Sequence, residues 1–271
     1  MLRTRILTAL IGGPIVVFVL YLGGIPWLAG IAVVSALAWL EMDRLVGRPH
    51  RAPERLIGLA FILDALVEAY LTASGLLSAD VLLPTLTLLL IVSLSLALFD
   101  LGERPIVGWS LTFGTALYLG ILLSHFILLR ERSNGFWWVF VAGGLTWVYD
   151  ASAYFVGSAL GKHKLWPRIS PKKSWEGLIG ATVITLIAGA VVAVVGPWQL
   201  GITGWQGVAL GALIAVADPF GDFVVSLFKR QAQIKDAGSL LPGHGGFLDR
   251  LDSLMFTLPL AFYFSLLVVG K

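Results

Sequence analysis

The chain has 271 residues, of which 58% are hydrophobic and only 13% charged, against roughly 25% charged in an ordinary soluble domain. That composition excludes a water-soluble fold with a polar exterior, and the lack of cysteine excludes disulfides, zinc–thiolate and iron–sulfur centres and thiol nucleophiles. The net charge of +3 is spread between apolar runs, where basic residues report membrane orientation, so nucleic acid is not expected as a partner.

Apolar runs of about the length of a bilayer's hydrocarbon core fall at residues 6–23, 25–40, 56–77, 81–99, 106–129, 136–160, 177–197, 204–228 and 252–270. None shows the alternation of a barrel strand, and a backbone in lipid must satisfy its own hydrogen bonds. The expected class is therefore all-α: a polytopic integral membrane protein with about nine transmembrane helices. The first run follows Arg3 and Arg5 as a signal peptide would. It is long and a second run follows almost at once, so it is expected to be retained.

Charge sets the expected orientation. With a cytoplasmic N-terminus, the segments on that side hold Arg3 and Arg5, then Arg44, Arg48, Arg51 and Arg55, then Arg104, then Lys162, Lys164, Arg168, Lys172 and Lys173, and finally Lys229, Arg230, Lys235 and Arg250. Only Arg130, Arg132 and Lys271 fall on the far side, the asymmetry that orients membrane proteins. Residues 1–135 then carry about five spans. Residues 136–271 form the expected catalytic region, with polar cytoplasmic loops at 161–176 and 229–251.

The loop SLFKRQAQIKDAGSLLPGHGGFLDRLD, residues 226–252, is dense in charge and glycine. Pro242, Gly243, His244, Gly245 and Gly246 can turn tightly and present successive backbone N–H groups, an arrangement that binds phosphate. It also serves as a plain flexible turn, but Lys229, Arg230, Lys235 and Arg250 beside it favour an anion site. Asp218 and Asp222 are four apart and share a helix face. Asp249 and Asp252 are three apart where the last run begins. Carboxylates cost about 2.5–3.5 kcal/mol each within a span and are retained where they function. Two such pairs suit a hard cation such as Mg²⁺, which takes oxygen ligands, or an ion-pair network with the neighbouring basic residues. In the other loop, Lys172, Lys173 and Glu176 precede the seventh run, and Asp150 lies inside the sixth. The spacings Gly157/Gly161 and Gly207/Gly211 point to helix packing, and Asp64 with Glu68 is left without a role.

These segments resemble the phosphatidate cytidylyltransferase (CDP-diacylglycerol synthase) family. Ser226, Lys229, Arg230, Lys235, Asp236, Gly238, Pro242, Gly243, His244, Gly245, Gly246, Asp249, Arg250 and Asp252 stand at that family's signature spacing. Asp150, Ala153, Tyr154 and Gly157 are similar to a second family segment. Ser170, Pro171, Lys172, Lys173, Trp175, Glu176 and Gly177 are similar to a third, with Ser174 where threonine is common.

The resemblance covers residues 140–260 and implies the reaction CTP + phosphatidate → CDP-diacylglycerol + diphosphate in phospholipid synthesis. It implies Mg²⁺ dependence with room for a second cation, an active site on the cytoplasmic side of the inner membrane, and a homodimer. For that reaction we read Asp222 and Asp249 as the principal metal ligands, supported by Asp218 and Asp252. Lys172, Lys173, Ser226, Lys229, Arg230, Lys235, Arg250, Gly243, Gly245 and Gly246 attend the substrate phosphates, and Asp236 and His244 belong to the site. Two other readings use the same groups. A CTP-dependent polyprenol kinase would release CDP in place of diphosphate. An ion-coupled transporter would use Asp64, Glu68, Asp150, Asp218 and Asp222 as a relay, against which stand the lack of an internal repeat and the clustering of polar groups at one face.

Overall fold

A computed structural model describes residues 2–46, 52–77, 81–99, 105–196, 200–238, 240 and 245–270. In chain order the elements are α1 (Leu2–Leu22), α2 (Gly24–Leu45), α3 (Ala52–Ala73), α4 (Leu82–Ala97), α5 (Pro105–Arg130), α6 (Gly135–Leu160), β1 (Lys164–Trp166), β2 (Ser170–Ser174), α7 (Trp175–Val195), α8 (Gly204–Gln231), α9 (Leu248–Leu251) and α10 (Leu254–Val269). Among the described residues seven helical segments are long and apolar enough to cross a membrane, and Leu10–Leu22 and Leu83–Ala97 are shorter apolar helices. The all-α membrane class follows, with the apolar runs of the sequence forming helices and no barrel among the described residues.

By contacts the chain divides into two compact units, one of residues 1–131 with 231–249 and one of residues 132–230 with 250–271. In the first, α3 packs on α5 and α2 packs on both. Gly58 lets α3 close on the buried Trp39 ring, which a Cβ would strike. Phe61 meets Phe113 edge-to-face at 4.9 Å, and the Trp27 indole donates to the Phe126 carbonyl at 2.9 Å. Arg55 pairs with the largely buried Asp43 where α2 and α3 adjoin. The unassigned Glu68 is buried and accepts from Thr85 Oγ1 at 2.7 Å, which ties α3 to α4.

In the second unit α6 packs on α7, and α10 on α6. Small residues permit this closeness, as the spacing predicts. Gly177 stands against Gly157 and the Ala153 carbonyl, while Gly189 abuts Gly207, and Gly211 abuts Thr185. Thr146 donates to Thr257 at 2.9 Å between α6 and α10, a partnership a buried hydroxyl needs in an apolar medium.

Arg130 and Arg132, exceptions to the charge asymmetry, have a local explanation. Arg130 donates to the Leu20 and Tyr21 carbonyls at 2.7 and 3.0 Å, and Arg132 to the Ser265 carbonyl at 3.3 Å and to the Gly270 carbonyl. Each donates to carbonyls at or beside a helix C-terminus, where a cation suits the dipole.

The 161–176 loop contains a small antiparallel hairpin, β1 with β2, pairing Lys164 with Ser174 and Trp166 with Ser170. Its turn closes with Ile169 N–H donating to the Trp166 carbonyl at 3.1 Å, and Pro167 presets the first turn torsion.

Candidate active site

In the second unit, α8 carries Asp218 and Asp222 one turn apart, as their spacing expects. Asp218 is fully buried, and its carboxylate lies against the Asp150 carboxyl and the Ser253 side chain. Its carbonyl accepts from Ser253 Oγ at 3.2 Å, at the short break between α9 and α10. Gly221 allows that break to lie directly on α8, since a Cβ there would strike the Asp252 carbonyl. Asp252 is thereby brought into electrostatic reach of Asp222 and Asp150. Asp150, projecting from α6, interacts with Asp218 and Asp222 as well as with Lys173 and Arg250. The sequence showed Asp150 as a costly intramembrane carboxylate without attaching it to the metal pairs; the packing of α6 joins it to them.

The hairpin delivers Lys173. Ser174 ends β2 in an extended conformation and caps α7, its hydroxyl accepting from Gly177 N–H at 3.2 Å. Glu176 accepts from His163 N–H at 3.2 Å and meets His163 Nδ1 at 2.6 Å, closing the hairpin on the helix. Lys173, one residue before the cap, lies 2.5 Å from Asp222 Oδ2 and 4.7 Å above the Phe223 ring. Ser226 donates to Asp222 Oδ1 at 3.1 Å. Arg230 donates through Nε to the Ile169 carbonyl at 3.1 Å, tying the end of α8 to the hairpin turn. Lys172 is exposed on β2. Lys229 lies in the last turn of α8 and interacts with Asp252.

Four carboxylates thus share one region with Lys173, Arg250 and Lys229, with Asp218 buried beneath it and Asp150 and Arg250 exposed at its edge. Among the described residues no three His, Asp or Glu side chains form a ready-made metal-ligand group. The donor chemistry nonetheless fits a hard cation: all-oxygen and acidic, with the fully buried Asp218 one helical turn from Asp222.

In the first unit, the segment after α8 is held by two buried carboxylates. Asp249 Oδ2 accepts from Ala237 N–H at 2.9 Å and Gly246 N–H at 3.1 Å. Gly245 has φ of 81°, a left-handed conformation that favours glycine. The Gly246 donor expected to face phosphate is thus engaged with Asp249. Pro242, Gly243 and His244 lie outside the described residues, while Lys235 and Asp236 are exposed. The second carboxylate is Glu41 of α2, which accepts from Phe247 N–H at 3.1 Å and Leu248 N–H at 2.9 Å. Sequence reasoning missed it. At the end of an apolar run, beside Asp43 and Arg44, it reads as an ordinary polar helix end.

The cytidylyltransferase family pattern matches residues 3–268. The phosphatidate cytidylyltransferase of Bacillus subtilis (strain 168) is 32% identical over 267 residues, covering 97% of this chain and 97% of that protein. The protein of the same name from Brucella abortus (strain 2308) is 32% identical over 267 residues, 97% of this chain and 93% of its own length. That from Synechocystis sp. is 33% identical over 298 residues, covering 98% and 97%. Matched from end to end on chains of its own size, this chain belongs to the cytidylyltransferase family.

Proposed function

We propose that the chain is a nucleotidyltransferase of phospholipid biosynthesis, a phosphatidate cytidylyltransferase that converts CTP and phosphatidate to CDP-diacylglycerol and diphosphate. The observation that carries the reading is the full-length family match, with relatives bearing that name at about the same length.

A phosphate oxygen of phosphatidate attacks the α-phosphorus of CTP, the bond from that phosphorus to the bridging oxygen breaks, and diphosphate leaves. Both reactants are anionic, so the protein must cancel repulsion and align the groups in line; no covalent protein nucleophile is required. Lys173, Lys229, Arg230 and Arg250 supply positive charge, with Lys172 and Lys235 exposed for phosphate oxygens. Asp218, Asp222, Asp249 and Asp252 are the carboxylates assigned to Mg²⁺. When bound, that ion supplies charge neutralisation at the nucleotide phosphates. Lys173 pairs with Asp222 and so keeps a carboxylate and a phosphate-seeking ammonium in one place. Membrane helices supply the scaffold because the acceptor is a lipid.

The active site is assigned to the cytoplasmic side from the basic residues of the two polar loops. The homodimer rests on the family resemblance, and the mass of the protein in mild detergent tests it. The deciding experiment measures diphosphate release by purified protein from CTP and dispersed phosphatidate, with and without Mg²⁺, alongside lipid product analysis. Release that needs both the lipid and Mg²⁺ and yields CDP-diacylglycerol is expected. CDP release with a lipid-alcohol acceptor would replace the reading by a kinase.

A further inference from the structure

We propose that Glu41 is a positioning residue for nucleotide transfer, holding residues 237–238 and 246–249 in place without touching substrate. The inference rests on the reaction proposed above.

The carboxylate is 2% exposed at the end of α2. One oxygen takes the Phe247 N–H and the other the Leu248 N–H. The same carboxylate lies against Gly238 and Gly246, so close that a Cβ on either would collide with it. It therefore touches residues on both sides of positions 239–244, and the amides it binds are 206 and 207 residues away in sequence. Asp249 joins the same two sides from within, through Ala237 and Gly246. Lys235 and Asp236 precede this clamp and Asp249 closes it, so the positions of all three depend on it.

A helix end that needed only packing would place an apolar side chain here. A buried carboxylate is tolerated when charge-assisted hydrogen bonds replace its hydration, and the two backbone amides do so.

The test uses the full chain in mild detergent with Glu41→Gln, Glu41→Asp and Gly238→Ala. Glutamine offers one acceptor and turns an NH₂ group toward the other amide. Aspartate keeps both acceptors but withdraws them by about 1.5 Å, one carbon–carbon bond. Alanine at 238 presses on the carboxylate from the loop side. For Glu41→Gln the expected result is a loss of about 10- to 100-fold in kcat/KM for CTP, the equivalent of one stranded buried N–H. The KM for CTP rises and the KM for phosphatidate does not change. Gly238→Ala shifts the KM for CTP in the same direction, and Glu41→Asp falls between wild type and Glu41→Gln.

A purely structural Glu41 would lower the melting temperature and the fraction of active molecules but leave the survivors with a wild-type KM for CTP. That result overturns the proposal. If Glu41→Gln does not fold, Gly238→Ala or Glu41→Asp decides the question in its place, a wild-type KM for CTP again overturning the proposal. Should the wild-type chain show no turnover of CTP with phosphatidate, the assigned reaction fails. Hydrogen exchange then still decides the clamp, because the amides of Phe247 and Leu248 lose protection in Glu41→Gln only if Glu41 holds the segment.

Discussion

Replacing Asp249 separates two roles that one carboxylate can play. Asp249 is 9% exposed, and its Oδ2 accepts from the backbone N–H groups of Ala237 and Gly246 at 2.9 and 3.1 Å. A buried N–H left without a partner costs about 1–3 kcal/mol. Asp249→Ala strands two, so the segment should lose roughly 2–6 kcal/mol of local stability. At about 1.4 kcal/mol per tenfold, amide exchange at Ala237 and Gly246 should accelerate by at least about 25-fold. Asp249→Asn retains a carbonyl acceptor at the same place but removes the charge. It should lose about 1 kcal/mol per bond as charge-assisted bonds become neutral ones, about 2 kcal/mol in all and so the low end of the range for Asp249→Ala, while diphosphate release should collapse if Asp249 is the cation ligand proposed above. The assay pairs exchange mass spectrometry over residues 237–249 with diphosphate release. Unchanged exchange in Asp249→Ala would refute the anchoring role, and wild-type turnover in Asp249→Asn would refute the ligand assignment.

Asp222→Asn should lower turnover by at least about 100-fold, as loss of a charge-stabilising group at a reacting centre does. The melting temperature should change little, because the Lys173–Asp222 pair is about one-quarter exposed on each side and such pairs contribute about 0–1 kcal/mol. Wild-type diphosphate release from a folded Asp222→Asn protein would reject its role. Ser174→Ala removes the cap of α7 and should destabilise the protein by about 1 kcal/mol, read as a lower melting temperature. Ser174→Thr should retain stability; an equal loss in both variants would show that contact with Gly157 and Gly161 outweighs the cap.

Hydropathy and periodicity were sufficient for the all-α membrane class, because a backbone in lipid has few alternatives to the helix. Local spacing placed Asp218 with Asp222 on one face and identified the glycines that let helices touch, since both follow from helical geometry alone. Charge gave the orientation as an expectation. It could not explain Arg130 and Arg132, whose partners are carbonyls at the ends of α1 and α10.

Which distant groups meet is settled by packing. Asp150 comes within electrostatic reach of Asp218, Asp222 and Asp252, which stand on α8 and at the α9–α10 break. Lys173 reaches Asp222 because a hairpin and a serine cap aim it there. Glu41 carried no signal in the sequence, because a single glutamate at the end of an apolar run is ordinary and its partners are backbone amides, which no side-chain pattern records. The chain's own residues determine where helices form and which chemistry is available. Their assembly determines which carboxylate gathers charge and which holds a loop, because burial and the presence of a donor within about 3 Å are properties of the packed helices and of no segment taken alone.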